Sequence, residues 1–137
     1  HMCPGVRVPG EPAAAGKEWT ETRVIIFTEY EATLTYLREQ LELAVAGTHL
    51  AELRVAVYRG STPPADREEI KRAFNGDPAK YPVRVLLCTD AAREGINLQT
   101  RCADLFHFDV PWNPSRMEQR NGRIDRKLQP SPEVRCH

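Results

Sequence analysis

Two hydrophobic patterns alternate along the chain: short continuous apolar runs and longer stretches with one apolar face. The short runs predict strands at 23–28, 53–58, 83–88 and 104–108, and 134–137 resembles the start of one more strand. Such runs are typical of strands buried on both faces of a parallel sheet. Between them the sequence predicts helices at 31–46, from 62–64 to about 76, and at 115–123.

The ends of these helices carry recognisable signals. The first helix has one apolar face made of Leu34, Leu37, Leu41 and Val45, and Gly47 suits the position just after its end. Thr62 before Pro63-Pro64 predicts an N-cap with prolines in the first turn, and Asn113-Pro114 predicts the same for the third helix. Strands alternating with helices predict an α/β fold, a mainly parallel sheet with helices on both faces.

The pattern also divides the chain into segments. Residues 3–22 begin with three of the eleven prolines among Gly and Ala, which predicts a linker or loosely packed segment. His1-Met2 is typical of a cloning scar. We expect the domain to occupy 23–137 and to be truncated at its C-terminal end. Its predicted core includes Phe27, Leu34, Leu87 and Phe108.

Composition limits the classes of function. The 137 residues suit one domain, and 19 basic against 19 acidic residues give a net charge of zero. That balance argues against a polybasic nucleic-acid binder, although it allows a local basic face. The four cysteines form no C-x-x-C pair, so we expect no metal site, reduced thiols and a cytoplasmic protein. No apolar run approaches the roughly 18 residues of a membrane span.

Polar, Gly-bearing or aromatic segments follow each predicted strand, at 28–30, 58–61, 89–90 and 109–114. Ligands of open α/β sheets bind beyond the carboxyl ends of the strands. The sequence therefore places its candidate binding residues at one edge of the sheet.

Three arginines at 120, 123 and 126 recur at intervals of three within 119–126. On a helix or helical turn they share roughly one side, where like charges repel. The arrangement is explained if an anion lies opposite, because guanidinium groups bind phosphate oxygens bidentately. The alternative is a solvated basic helix end, where cations favour the helix dipole. Spacing alone leaves both interpretations open.

A second candidate segment, 89–99, directly follows a predicted strand. Gly95 would let the backbone approach a ligand closely, and Thr89 and Asn97 offer hydrogen bonds to phosphate or ribose. The alternative is an ordinary strand-to-helix loop capped by Asp90. The chain has no G-x-x-x-x-G-K-[ST] motif, so it cannot cradle and hydrolyse a nucleoside triphosphate by itself in the usual way.

Together these motifs resemble the second RecA-like lobe of superfamily 2 helicases and translocases, from about residue 23 to 127. The resemblance rests on Gln119-Arg120-x-Gly122-Arg123-x-x-Arg126, preceded by Thr89-Asp90 and Gly95-x-Asn97. The strings 94–99 and 109–114 are more similar to the Swi/Snf branch, including bacterial RNA-polymerase-associated ATPases. The DEAD-box branch would carry Arg-Gly-x-Asp where this chain has Glu94-Gly95-Ile96-Asn97, which disfavours an RNA helicase.

The resemblance implies a three-layer RecA-like fold and specific roles. Arg123 and Arg126 match arginine fingers that reach the γ-phosphate of ATP, which is held with Mg²⁺ mainly by an absent first lobe. Gly95, Asn97 and Gln119 match positions near the nucleotide. The positions that match nucleic-acid contacts are Thr28, Glu29, Arg59, Gly60, Thr89 and Trp112. Trp112 has an equal alternative as a packing residue over the sheet, and Arg120 could be a surface or structural arginine.

We therefore expect the C-terminal motor lobe of an ATP-dependent DNA helicase or translocase, inactive alone. Its expected partners are nucleic acid, with double-stranded DNA favoured by the branch resemblance, and the first lobe of the same protein, but no membrane. The alternative is a non-catalytic RecA-like module that binds nucleic acid or protein. A dinucleotide-binding domain is disfavoured because no G-x-G-x-x-G follows the first strand.

Overall fold

The structure is a computed structural model, and it describes residues 18–90, 97–98, 100–125 and 129–137. Its centre is a five-stranded sheet of order β2-β3-β1-β4-β5 in which every pairing is parallel. The elements are β1 (Val24–Thr28), α1 (Glu31–Val45), β2 (Val55–Tyr58), α2 (Pro64–Asn75), β3 (Val85–Thr89), β4 (Asp104–His107), α3 (Pro114–Asn121) and β5 (Arg135–Cys136). This architecture confirms the predicted α/β fold with a parallel sheet.

The main core lies on the face of the sheet that α2 and α3 cover. Ile25 pairs in register with Leu86 and with Leu105, so these three side chains point to one face. Phe74 from α2 and Ile124 just after α3 are completely buried against this layer. Phe27 and Leu87, both predicted core residues, are also completely buried.

The helix α1 covers only part of the opposite face. It packs against β1, β2 and β3, and it buries Leu34 and Val45 from its predicted apolar side. The strand β4 lies beyond its reach in the sheet order. Phe108 is therefore 54% exposed, and the prediction that it belongs to the core is wrong.

The predicted helix ends are mostly confirmed. Gly47 follows α1 with φ +86, a left-handed conformation that favours glycine. The Asn113 side chain caps α3 by accepting the Ser115 N–H at 3.0 Å, with Pro114 as the first helical residue. The predicted Thr62 cap is wrong: Pro63 is the N-cap of α2, and the Thr62 hydroxyl accepts the Arg59 N–H at 2.9 Å.

Three buried arginines lie at the amino-terminal edge of the sheet. Arg23, Arg54 and Arg84 each donate to backbone carbonyls of neighbouring loops. The segment before β1 contacts two of them, because the Arg54 guanidinium lies 5.1 Å from the Trp19 ring centroid and Arg84 Nε donates to the Thr20 carbonyl at 2.7 Å. The domain start at 23 stays a prediction. Within the described ranges, no helix is long and apolar enough to cross a membrane.

Candidate functional site

The carboxyl ends of β1 to β4 meet at one edge of the sheet. Because all four strands are parallel, the residues that follow them lie on the same side of the molecule. The segments that sequence analysis selected at 28–30, 58–61, 89–90 and 109–114 are thereby brought to this edge. The helix α3 begins within the last of them.

Arg120, on α3, is the most buried charged group at this edge. Its side chain is 1% exposed, and it forms a bidentate ion pair with Asp90 at the end of β3, with Nε–Oδ1 at 2.6 Å and Nη2–Oδ2 at 2.9 Å. Its guanidinium also lies 5.6 Å from the centroid of the Phe27 ring. Of the two roles considered for Arg120, surface or structural, the structure supports the structural one.

Asp109, which follows β4, extends this ion pair to two further strands, β4 and β1. Arg120 donates from Nη2 to its Oδ1 at 3.1 Å and from Nη1 to its carbonyl at 2.7 Å. The same carboxylate accepts the Thr28 hydroxyl and the Glu29 N–H, the latter at 2.9 Å and 3.0 Å to its two oxygens. Asp90, Arg120 and Asp109 thus tie α3 to the ends of β3 and β4, and Asp109 adds the end of β1. We call these three residues the arginine clasp.

The charges of the clasp support one another. Burial alone would raise the pKa of Asp109, but hydrogen bonds from Thr28, the Glu29 N–H and Arg120 lower the pKa below its ordinary value. Burial would likewise lower the pKa of Arg120, and the hydrogen bonds to Asp90 and Asp109 raise it instead. Asp109 and Arg120 therefore both keep their charges at neutral pH.

His107, at the end of β4, lies beside the clasp. Its Nδ1 is 3.3 Å from Arg120 Nη1, and its Nε2 is 2.9 Å from Asn121 Oδ1. A neutral ring that accepts from Arg120 and donates to Asn121 satisfies both contacts. Burial, together with the Arg120 charge, lowers the pKa of His107, although the Asn121 hydrogen bond opposes this.

Two ion pairs lie at the outer surface of the same edge. Arg116 on α3 donates to the Glu29 carboxylate, with Nη1–Oε1 at 2.7 Å. Arg59, which follows β2, lies 3.4 Å from the Glu31 carboxylate. Each acid belongs to the β1–α1 junction, and the exposed Tyr30 stands between them in sequence. We call Glu29, Glu31, Arg59 and Arg116 the paired-charge rim.

The predicted nucleic-acid residues have different environments. Thr28 and Thr89 are buried, and Thr89 Oγ1 has no hydrogen-bond partner among the described residues. Glu29 and Arg59 are partly exposed members of the rim. The Gly60 carbonyl accepts from Arg67, which fixes the loop after β2. Trp112 is 98% exposed, so the alternative that it packs over the sheet is wrong.

Of the predicted nucleotide residues, the structure describes Asn97, Gln119 and Arg123, which lie on α3, just after it or beside it. Gln119 is exposed on α3, and Asn97 accepts the Asn75 side-chain amide at its carbonyl. Arg123 follows α3, and its carbonyl accepts the Leu98 N–H at 3.2 Å, which joins the two motif segments. Gly95 and Arg126 lie outside the described residues, so all five of these assignments stay predictions.

Several polar residues of the site, including His107, Asp109 and Arg116, were not among the predicted site residues. Asp109 had two usable signals, its place directly after a strand and its place in the string at 109–114. His107 falls inside the last predicted strand, and Arg116 falls on a helix without a motif, so neither had any. All three acquire their roles through residues distant in sequence, such as Glu29, which is 87 residues from Arg116.

The chain is similar to known helicases over most of its length. The model of the helicase conserved C-terminal domain matches residues 14–127. An uncharacterised ATP-dependent helicase of Bacillus subtilis, YqhH, is 42% identical over 106 residues, which is 77% of this chain and 17% of YqhH. The RNA polymerase-associated protein RapA of Yersinia pestis is 32% identical over 104 residues, 76% of this chain and 10% of RapA. The chain therefore spans less than a fifth of these curated relatives.

Solved structures agree on the fold. The C-terminal part of the Fun30 ATPase domain superposes with a TM-score of 0.69 at 24% identity, covering 85% of this chain and 34% of that one. The yeast DEAD-box splicing factor Prp28 superposes with a TM-score of 0.64 at 21% identity, covering 84% and 22%. At these identities the likeness is evidence for the fold alone, and it confirms the predicted RecA-like architecture.

Proposed function

Because the chain belongs to the helicase conserved C-terminal domain family, we propose that it is the second motor lobe of an ATP-dependent nucleic-acid translocase or helicase. The observation that carries this proposal is the arginine clasp. It fixes the helix before Arg123 to the ends of β3 and β4, the strands on either side of β1, through the ionic contacts of a buried arginine. A residue that must reach a phosphate across a cleft needs such a fixed base.

In this proposal Arg123 and Arg126 are arginine fingers. The backbone of Arg123 is held on both sides, since its N–H donates to the Arg120 carbonyl at 3.0 Å and its carbonyl accepts from Leu98. The N–H groups of a guanidinium can donate in pairs to the oxygens of a phosphoryl group. ATP with Mg²⁺, held mainly on the first lobe, would supply the transferring phosphoryl group. Fingers of this kind contribute about 10³–10⁵ in rate.

Gly95, Asn97 and Gln119 are proposed to lie near the same nucleotide. The exposure of Gln119 and Asn97 is compatible with a ligand arriving from outside this lobe. The Asn97–Leu98 segment is tied to α2 by Asn75 and to the finger segment by the Arg123 carbonyl. A displacement of one segment on nucleotide binding would therefore also displace the other.

The nucleic-acid backbone is proposed to cross the outer edge formed by Glu29, Arg59, Gly60 and Trp112. Trp112 offers an almost completely exposed ring for stacking or sugar contacts. Thr28 and Thr89 are buried beneath this edge, so the role proposed for them is to shape the strand ends. Duplex DNA is the proposed substrate because of the similarity to the Swi/Snf branch.

The test is ATP turnover by the full-length protein, with and without duplex DNA, alongside the isolated 137-residue chain. The proposal expects DNA-stimulated turnover in the full-length protein and none in the isolated chain, which has no G-x-x-x-x-G-K-[ST] motif. ATP turnover by the isolated chain would contradict the proposal that ATP is held by the first lobe and that this lobe supplies only the arginine fingers. Binding of DNA by a full-length protein that never hydrolyses ATP would favour the alternative, a non-catalytic binding module.

A further inference from the structure

We infer that the paired-charge rim is a partner-exchange site, in which Arg116 and Arg59 leave Glu29 and Glu31 to bind successive phosphates of a phosphodiester chain. This inference rests on the proposed function and deepens it. It adds Arg116 to the binding residues, and it changes the expected role of Glu29. The Glu29 side chain acts as a competitor of the phosphate for Arg116, and it is not a ligand of the nucleic acid.

The first step of the argument is the chemistry of Glu29. A carboxylate accepts hydrogen bonds only and repels phosphate, so its side chain cannot bind the phosphate groups of a nucleic-acid backbone. Its oxygen instead receives Arg116 Nη1 at 2.7 Å. The backbone N–H of Glu29 is also engaged, because it donates to the Asp109 carboxylate. Glu29 itself therefore offers a polyanion nothing to bind, and the positive charge beside it belongs to Arg116.

The second step is accessibility. The side chains of Arg116 and Glu29 are 39% and 27% exposed, and those of Arg59 and Glu31 are 30% and 54% exposed. Ion pairs this open to water contribute little to stability. A phosphate oxygen can therefore replace a carboxylate oxygen on either arginine without disturbing the fold. Both pairs contrast with the clasp, where Arg120 is 1% exposed and committed to Asp90.

The third step is arrangement. In the sheet order, β1 lies between β3 and β4, so the rim acids after β1 are flanked by Arg59 from the β2 side and Arg116 from the β4 side. Two cations and two anions leave the rim neutral in the free lobe. A moving motor must release each phosphate it binds, and the two glutamates give the arginines an alternative partner on release.

The experiment is fluorescence anisotropy of labelled 20-nucleotide probes with the 137-residue chain, at several salt concentrations. The probes are duplex DNA, single-stranded DNA and single-stranded RNA of one sequence, which distinguish the sources of the phosphodiester. We expect Arg116→Ala to weaken binding by at least about threefold and to reduce the salt slope by about 0.9 on duplex DNA. Glu29→Gln should tighten binding about two- to fivefold, by freeing Arg116.

The opposite signs of these two effects are decisive. If Glu29 only supports the local structure, both substitutions weaken binding together. Glu29→Gln leaves the Glu29 backbone bonds to Asp109 in place, so thermal unfolding should be unchanged. In the double variant with Arg116→Ala, the gain from Glu29→Gln should be lost, because there is no arginine left to release.

The matched control is the Arg38–Glu42 pair on α1, with side chains 51% and 48% exposed and an N–O distance of 2.7 Å. Arg38→Ala and Glu42→Gln change net charge by the same amounts and should leave affinity within twofold. Equal effects at both pairs would overturn the inference, because they would show that binding depends only on the net charge of the chain. Failure of the unsubstituted chain to bind any probe at low salt would contradict both the inference and the proposed nucleic-acid contact. Binding with no tightening by Glu29→Gln would overturn the inference alone.

Discussion

Arg120 Nη1 lies 3.3 Å from Nδ1 of His107, so a permanent cation faces a ring that can itself become charged. The ring satisfies this contact only while Nδ1 carries no proton. Protonation of His107 would place two like charges against each other next to Asp90 and Asp109. The end of β4 is therefore coupled to the clasp through one titratable group.

Burial of the His107 ring, with the Arg120 charge beside it, predicts a pH dependence of folding stability. Because the pKa of His107 is lowered below 6.5 in the folded protein, the unfolded chain binds more protons in that range. The free energy of unfolding should then fall as pH drops from about 6.5 through the lower folded pKa, by at most about 1.4 kcal/mol per pH unit. Urea unfolding between pH 4.5 and 8 measures this.

His107→Gln should remove that dependence, whereas His49→Gln, at an exposed position, should preserve it. Asp109 contributes in a lower pH range. Because its pKa is lowered below 3.8 in the folded protein, it stabilises the fold at pH values above about 3.8, and this contribution is lost as the pH falls through the folded pKa. An NMR titration that placed the pKa of His107 above 6.5 would contradict the account.

The clasp predicts a large cost for losing its arginine. Arg120→Ala leaves the buried carboxylate of Asp90 unpaired, which should lower the free energy of unfolding by about 3–5 kcal/mol. Arg38→Ala removes an exposed pair and should cost less than about 1 kcal/mol. Denaturant unfolding compares them. A cost for Arg120→Ala near that of Arg38→Ala would show that the clasp does not hold the strand ends together.

Trp112 provides the opposite case, a large side chain with almost no contact. Trp112→Ala should change the free energy of unfolding by less than about 0.5 kcal/mol, because its ring is 98% exposed. Affinity for nucleic acid should fall about five- to 150-fold if a base stacks on the ring, an effect of about 1–3 kcal/mol. Trp19→Ala is the matched control, since this half-buried ring packs on Arg54 and its removal should destabilise the fold. A stability loss of several kcal/mol in Trp112→Ala would argue against the exposed position.

The cysteines test burial independently of function. Complete burial raises the pKa of the Cys88 thiol well above its ordinary range, and burial raises that of Cys102 to about 12. Cys136 is exposed on β5. Iodoacetamide should therefore label Cys136 at least tenfold faster than Cys88 and Cys102 in the native protein, as mass spectrometry can follow. Fast labelling of Cys88 without unfolding would contradict the position of β3 in the sheet.

Local patterns were sufficient to predict most of the fold. The apolar runs around Ile25 and Leu86 and the Asn113-Pro114 cap depend on neighbouring residues, so their structures agree with the predictions within a few positions. Phe108 was misplaced because its exposure depends on which strands α1 happens to cover. Thr62 was misplaced because the Arg59 N–H occupies its hydroxyl.

Local sequence patterns predicted less of the candidate site than of the fold. The spacing of Arg120, Arg123 and Arg126 left open whether an anion lies opposite them, and the anion that faces Arg120 is the protein's own Asp90, 30 residues away. The Arg116–Glu29 pair joins residues 87 apart in a helix and a strand end. No periodicity in one sequence carries information about such pairs, since only the sheet order brings them together.

The most direct test of the central claim is ATP turnover by the full-length protein with Arg123→Ala, measured together with nucleotide affinity and thermal unfolding. A finger acts on the charge of the transition state, so kcat should fall by about 10³-fold or more while nucleotide affinity and folding stability change little. Arg38→Ala, in the exposed ion pair on α1, should leave turnover close to normal. Near-normal kcat in Arg123→Ala would contradict the assignment of this lobe as the supplier of catalytic arginines.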